Sequence, residues 1–314
     1  MLERCPPEVL EKIFTFVDDY ANDGGRTART LSLVSRYVNN SSACVRYRSV
    51  TVVGWARMRR FAEVFQAKPS GTIPVIHLFM SDHSFGEKGT TWRSRMLDDG
   101  ADLAAHLAQP QMTDMIKLIL RTVAPSLQVL VLSLDCPVDF TFLPFALPVV
   151  EDLTLLLTHS RPLERIIDPI PSLRRLHIGR LWPGIPVDLI PQLAPNLTHL
   201  RFSGMVYLDA FLRNELEATM TPHASKALPS ATMFIYVQLR GHRHKLRAMK
   251  EVKRCRKLIE RGGVDRMVTL LEHPQGRSDD RRQGYDQPHG FKDWLDLVDG
   301  GQGCWGAKHA TLPR

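Results

Sequence analysis

Arg175 and His177 stand two residues apart, and His199 and Arg201 repeat the pair in reverse order a little further on. A guanidinium fork grips a carboxylate or a phosphate through two parallel hydrogen bonds, and imidazoles add further donors. Asp152 and Thr154 hold the equivalent places one stretch earlier. If the six side chains share one exposed face, the two arginines would receive an acidic or phosphorylated segment of another protein. Asp152, Thr154, Arg175, His177, His199 and Arg201 are therefore the candidate target-binding residues.

No other pattern suggests reaction chemistry. The chain has no Gly-x-Ser-x-Gly, no glycine-rich phosphate loop ending in Lys-Ser/Thr and no His-Glu-x-x-His. His242 and His244 form a His-x-His with no cysteine or carboxylate pair at a useful spacing. The five cysteines, Cys5, Cys44, Cys136, Cys255 and Cys304, are odd in number, widely spaced and form no Cys-x-x-Cys. That pattern argues against a disulfide framework and a zinc site, and for a reducing cytoplasmic or nuclear compartment. The expectation is a protein that is not an enzyme, with no catalytic residues, no metal and no cofactor.

The elements that position the candidate residues are legible in four stretches. "PSLQVLVLSL" starts at Pro125, "PVVEDLTLLL" at Pro148, "PSLRRLHIGR" at Pro171 and "PNLTHLRFSG" at Pro195. Each reads P-x-[LV]-x-x-L-x-[LIF], at a spacing inside the leucine-rich-repeat range. Leu130 and Leu132, Leu153 and Leu155, Leu176 and Ile178, and Leu200 and Phe202 alternate with other residues. Such alternation fits a strand with one buried face, and stacked strands share a core that none has alone. "IPVIHLF" near Pro74 and "PSATMFIYVQL" from Pro229 extend the series at either end. "QMTDMIKLILRTV", Gln111 to Val123, has helical spacing.

The 314 residues carry a net charge of +8 and are 44% hydrophobic. Ten Lys/Arg and two Glu between Arg240 and Arg261 account for the whole excess. That segment is read as a basic helix, able to meet nucleic acid or an acidic surface, or to serve as a nuclear-import signal. It lacks the aromatic residues on which bases stack, which weighs against nucleic acid. There is no apolar run long enough for a membrane span, and no secretory signal is expected at the N-terminus.

Near the start, "PPEVLEKIFTFVDD" places Val9, Leu10, Ile13, Phe14 and Val17 on one broad helical face, with Pro6 and Pro7 at its beginning. "TLSLVSRYVNN" follows with Leu31, Val34 and Val38 on one face, then "SSACVRY" and the alternating "RSVTVVG". Pro6, Pro7, Glu8, Val9, Leu10, Ile13, Phe14, Leu33, Val34, Ser35, Arg36, Arg48, Ser49 and Val50 carry a family resemblance. This order resembles the F-box domain in the form found in fungal F-box proteins. Cys5 stands where that family usually has leucine, and Val38 where it has tryptophan.

The resemblance implies a docking element for the Skp linker of a cullin-type ubiquitin ligase. Pro6, Val9, Leu10, Ile13, Phe14, Leu31, Val34 and Val38 are the candidate linker-binding residues. The fold expected is α/β: a small N-terminal helical F-box-like module over residues 1–50, then an irregular leucine-rich-repeat-like solenoid over 51–240 with an irregular insertion at 81–109. A basic helical segment at 241–273 and a flexible C-terminal region at 274–314, in which "FKDWLDLV" is read as a short helix that docks back, complete it. The function implied is a substrate-recognition adaptor whose linker-binding part recruits the ligase and whose repeats bind a protein target. Two other readings stay open. One is a repeat scaffold for protein interaction without a ligase role, and the other is nucleic-acid binding through residues 240–261.

Overall fold

The computed structural model describes residues 5–21, 26–43, 45–66, 74–82, 101–134, 147–157, 168–179, 189–205, 234–239, 267–271 and 287–305. The chain divides into two compact units. The first holds Met1–Ser133 together with Pro288–Trp305, and the second holds Leu134–Gln287 with Gly306–Arg314.

The first unit opens with three helices, α1 (Pro7–Ala21), α2 (Arg26–Ser32) and α3 (Arg36–Ser41). Strand β1 (Ser49–Val53) leads through Gly54 into α4 (Trp55–Gln66). Gly54 has φ +90 and donates its N–H to the Ser81 carbonyl at 2.7 Å, a tight reversal that suits glycine. Strand β2 (His77–Ser81), helix α5 (Ala101–Val123) and strand β3 (Val129–Leu134) follow. The three strands are parallel and pair in chain order, with Thr51 beside Phe79 and Phe79 beside Val131.

Both faces of this small sheet are covered. Val52, Leu78, Met80, Leu130 and Leu132 are buried on one side. Helix α4, which packs against β1 and α5, buries Met58, Ala62 and Phe65. On the other side Val53, Phe79 and Val131 form a core with Trp294 and Val298 of α7 (Gln287–Val298). Helix α7 ends in a Schellman motif: the Gly300 N–H bonds the Leu297 carbonyl, the Gly301 N–H bonds the Asp296 carbonyl, and Gly300 has φ 72. The Asp296 carboxylate then accepts from the Gly303 N–H at 2.6 Å. This holds a 3-10 turn, Gly303–Trp305, whose Cys304 and Trp305 are buried.

The second unit carries strands β4 (Asp152–Leu157), β5 (Arg175–Gly179), β6 (His199–Met205), β7 (Phe234–Leu239) and β8 (Met267–Leu271), with the short helix α6 (Ile190–Leu193) before β6. These strands are parallel and again pair in chain order. Hydrogen bonds outside the strands tie successive units of chain together: Ser172 Oγ donates to the Val150 carbonyl at 2.7 Å, and Asn196 Nδ2 to the Pro171 carbonyl at 2.9 Å.

The structure corrects the expected architecture. The α/β class stands, but the chain is not a helical module followed by a solenoid. It is built on all-parallel sheets with helices, and α1–α3 belong to one compact unit with β1–β3 and the C-terminal α7. The physical reason lies in the strands. A solenoid strand with one solvated face should alternate in burial, whereas all six residues of β4 are buried, as are Leu130 to Leu134 of β3. Near-continuous apolar runs such as "VLVLSL" are what a parallel sheet covered on both faces requires.

Three boundaries differ too. Residues 101–109, expected in an irregular insertion, are the first turns of α5, while 83–100 lie outside the described residues. Residues 240–266 of the basic segment also lie outside them, but Met267–Leu271 is a strand rather than part of a helix. Within the region expected to be flexible, 287–305 forms α7 and its buried turn.

Candidate functional site

Helix α1 separates its apolar residues into two rows. Leu10 and Phe14 point inward, 1% and 5% exposed, and form a small core with Val38 of α3 and Val45. Cys5, Leu31 and Tyr37 pack at its edge. Val9, Ile13 and Phe16 are 46%, 45% and 61% exposed. At 3.6 residues per turn these three fall within an arc of about 60° on one side of the helix. Each is a side chain whose full burial stabilises by about 1.5–3 kcal/mol.

A second exposed apolar pair sits where α2 meets α3. Leu33 N–H bonds the Thr30 carbonyl and Val34 N–H bonds the Leu31 carbonyl, closing two turns that leave Leu33 78% and Val34 58% exposed. Ser35 then starts α3: its backbone is extended, and its Oγ accepts from the Val38 N–H at 3.2 Å. The helices are fastened by polar contacts. Tyr37 Oη donates to the Cys5 carbonyl, and Arg46 Nη2 donates to the Asn39 carbonyl and side-chain oxygen. Desolvation, with Cys5 and Glu8 nearby, pushes the Tyr37 hydroxyl's pKa up, so it remains a donor.

The eight candidate linker residues thus divide. Pro6, Val9, Ile13 and Val34 are exposed, Leu31 is half-buried, and Leu10, Phe14 and Val38 are core. The last three hold α1 against α3 and present nothing to a partner. Phe16 and Leu33 are more exposed than Val9, Ile13 or Val34. Phe16 was legible as the next member of the row after Val9 and Ile13, since positions i, i+4 and i+7 share a helix face.

The target residues turn out differently from expectation. In the second unit Asp152 pairs with Arg175 and Arg175 with His199, while Thr154 pairs with His177 and His177 with Arg201. The six do share a face, as their alternation implies. That face is not an open surface: Asp152, Thr154, His177 and Arg201 are 1%, 3%, 0% and 2% exposed. Asp152 and Arg201 bond within the protein. Arg175 Nε meets Asp152 Oδ2 at 3.0 Å, and Arg201 Nε donates to Ser203 Oγ at 3.0 Å. Burial, and then the Arg201 charge, hold the His177 imidazole well below its usual pKa, and burial with Arg175 lowers His199. Four of the six are removed from any contact surface by burial. Arg175 and His199 keep part of theirs.

Among the described residues there is no group of His, Cys, Asp or Glu that could hold a metal ion, and no helix long and apolar enough to cross a membrane. His242, His244 and the basic stretch lie outside them. No protein-family model matches the chain, and no curated protein or solved structure matches it.

Proposed function

We propose that the chain is a substrate-recognition adaptor of a Skp–cullin–F-box type ubiquitin ligase, docking on the Skp linker through α1–α3. The observation that carries this reading is the row Val9, Ile13 and Phe16, with Leu33 and Val34, left exposed on helices whose own core is already filled by Leu10, Phe14, Val38 and Val45. Apolar anchors at helical spacing are the usual means by which a helix engages a groove, and a few such anchors dominate an interface. The resemblance of the first fifty residues to the F-box pattern supplies the partner's identity. In this reading the chain itself does no chemistry, and ubiquitin transfer belongs to other subunits of a cytoplasmic or nuclear ligase.

The test is co-purification with the Skp linker. Val9→Asp with Ile13→Asp places two carboxylates in an apolar contact, where each is desolvated without a partner, and capture should fall about a hundredfold or more. Because both positions face solvent, the variant keeps the wild-type circular dichroism and melting temperature. Undiminished capture by the folded variant removes the reading. Leu10 and Phe14 are unsuitable for this purpose, because charges there would disrupt the small core instead.

A further inference from the structure

We propose that the β1–β3 face bearing Val53, Phe79 and Val131 is a helix-binding site, and that the segment 287–305 is its ligand, able to bind from a second copy of the chain as well as from its own. Three observations carry this. First, the first unit is discontinuous: residues 134–287 belong to the other unit, and only 288–305 return. Second, the returning segment binds as a helical ligand does. Phe291, Trp294 and Val298 lie at i, i+3 and i+7, one helix face. Trp294 is 0% exposed and Val298 2%, and both pack on the face formed by Val53, Phe79 and Val131.

The aromatic contacts are specific. The Phe79 ring meets Phe291 edge-on at 5.1 Å and Trp294 at 5.8 Å, and Phe291 stacks on Trp294 at 5.9 Å. A large central aromatic in a desolvated pocket is the kind of residue on which binding energy concentrates. Third, the segment closes on itself. The Schellman turn and the Asp296–Gly303 hydrogen bond are both made within 287–305. A helical element joined to its unit only through residues 134–287 can be exchanged between copies without forming any new contact, which is the low-cost route to a swapped dimer. In the intact chain α7 is joined covalently to the face it covers, so the chain's own helix competes with added peptide.

The experiment uses the full chain and a fluorescent synthetic peptide of residues 287–305, followed by anisotropy. Trp294→Ala in the chain weakens its own helix, so the variant should capture wild-type peptide about a hundredfold more tightly than the wild-type chain does. A peptide carrying the same Trp294→Ala change should not be captured. If the Trp294→Ala chain does not fold, the milder Val298→Ala chain takes its place, with the same ranking expected. The proposal is overturned if the folded variant ignores the peptide, or if wild-type and variant chains bind it equally.

Discussion

Leu10 and Ile13 stand less than one turn apart on α1 and do opposite work. Leu10 is 1% exposed in the core with Phe14, Val38 and Val45, and Ile13 is 45% exposed. Leu10→Ala should therefore cost about 2–5 kcal/mol of stability, while Ile13→Ala stays within about 0.5 kcal/mol. Urea unfolding of the two variants checks the contrast, and equal costs would mean that the two rows of α1 are wrongly assigned. Hydrophobic spacing alone placed both residues on one broad apolar face, and that much is true. Spacing cannot say which part of a broad face the chain fills itself. The same limit explains Asp152, Arg175, His177 and Arg201. Alternation with the core leucines correctly groups them on one face, but it is silent on whether water lies beyond that face. A half-buried ion pair such as Asp152–Arg175 reads in sequence as surface charge, because its partner stands one strand away rather than nearby in the chain.

The strands were the most legible elements. The P-x-[LV]-x-x-L-x-[LIF] stretches correspond to β3, β4, β5 and β6, and in the second unit parallel pairing sets Leu153 beside Leu176 and Leu176 beside Leu200. The helix expected from Gln111 to Val123 is the C-terminal part of α5. Met267–Leu271 was read with the basic helix before it, since a five-residue apolar run has no period that separates strand from helix. Helix α7 was legible as "FKDWLDLV", but the face it covers was not, because β1–β3 lie far back in the sequence. Helix α3 has only six residues, and Ser35 Oγ satisfies the Val38 N–H. Ser35→Ala should cost about 1 kcal/mol, and because Val38 is carried by α3 into the core beneath α1, the loss should spread to α1. Amide hydrogen exchange of α1 and α3 reads this directly: both should exchange faster in the variant, and protection lost from neither would mean the cap contributes nothing.

At the scale of the molecule, the two units answer differently to acid. The second unit buries His177 completely beside Arg201 and half-buries His199 near Arg175, and both imidazoles are held below their usual pKa. Above about pH 7.5 neither the folded nor the unfolded chain protonates them appreciably, and they contribute no pH dependence. Below that value the unfolded chain binds protons that the folded second unit refuses. Stability must then fall as the pH falls, by up to about 1.4 kcal/mol per pH unit for each imidazole that stays neutral. In the first unit the core of Val53, Phe79, Val131, Trp294 and Val298 carries no titrating group, and His77 of β2 stands outside it, half-buried and hydrogen-bonded to Ser49 Oγ. Hydrogen exchange separates the two units. Intrinsic exchange rates change with pH in the same way for all amides, so the ratio of protection in β4–β6 to that in β1–β3 isolates the difference. The ratio should drop between pH 7 and pH 5. His177→Leu, which removes the buried imidazole, should flatten most of that drop. A ratio independent of pH in the wild-type chain would show that the buried imidazoles accept protons without opening the sheet, and that the Arg201 charge beside His177 is compensated when they do.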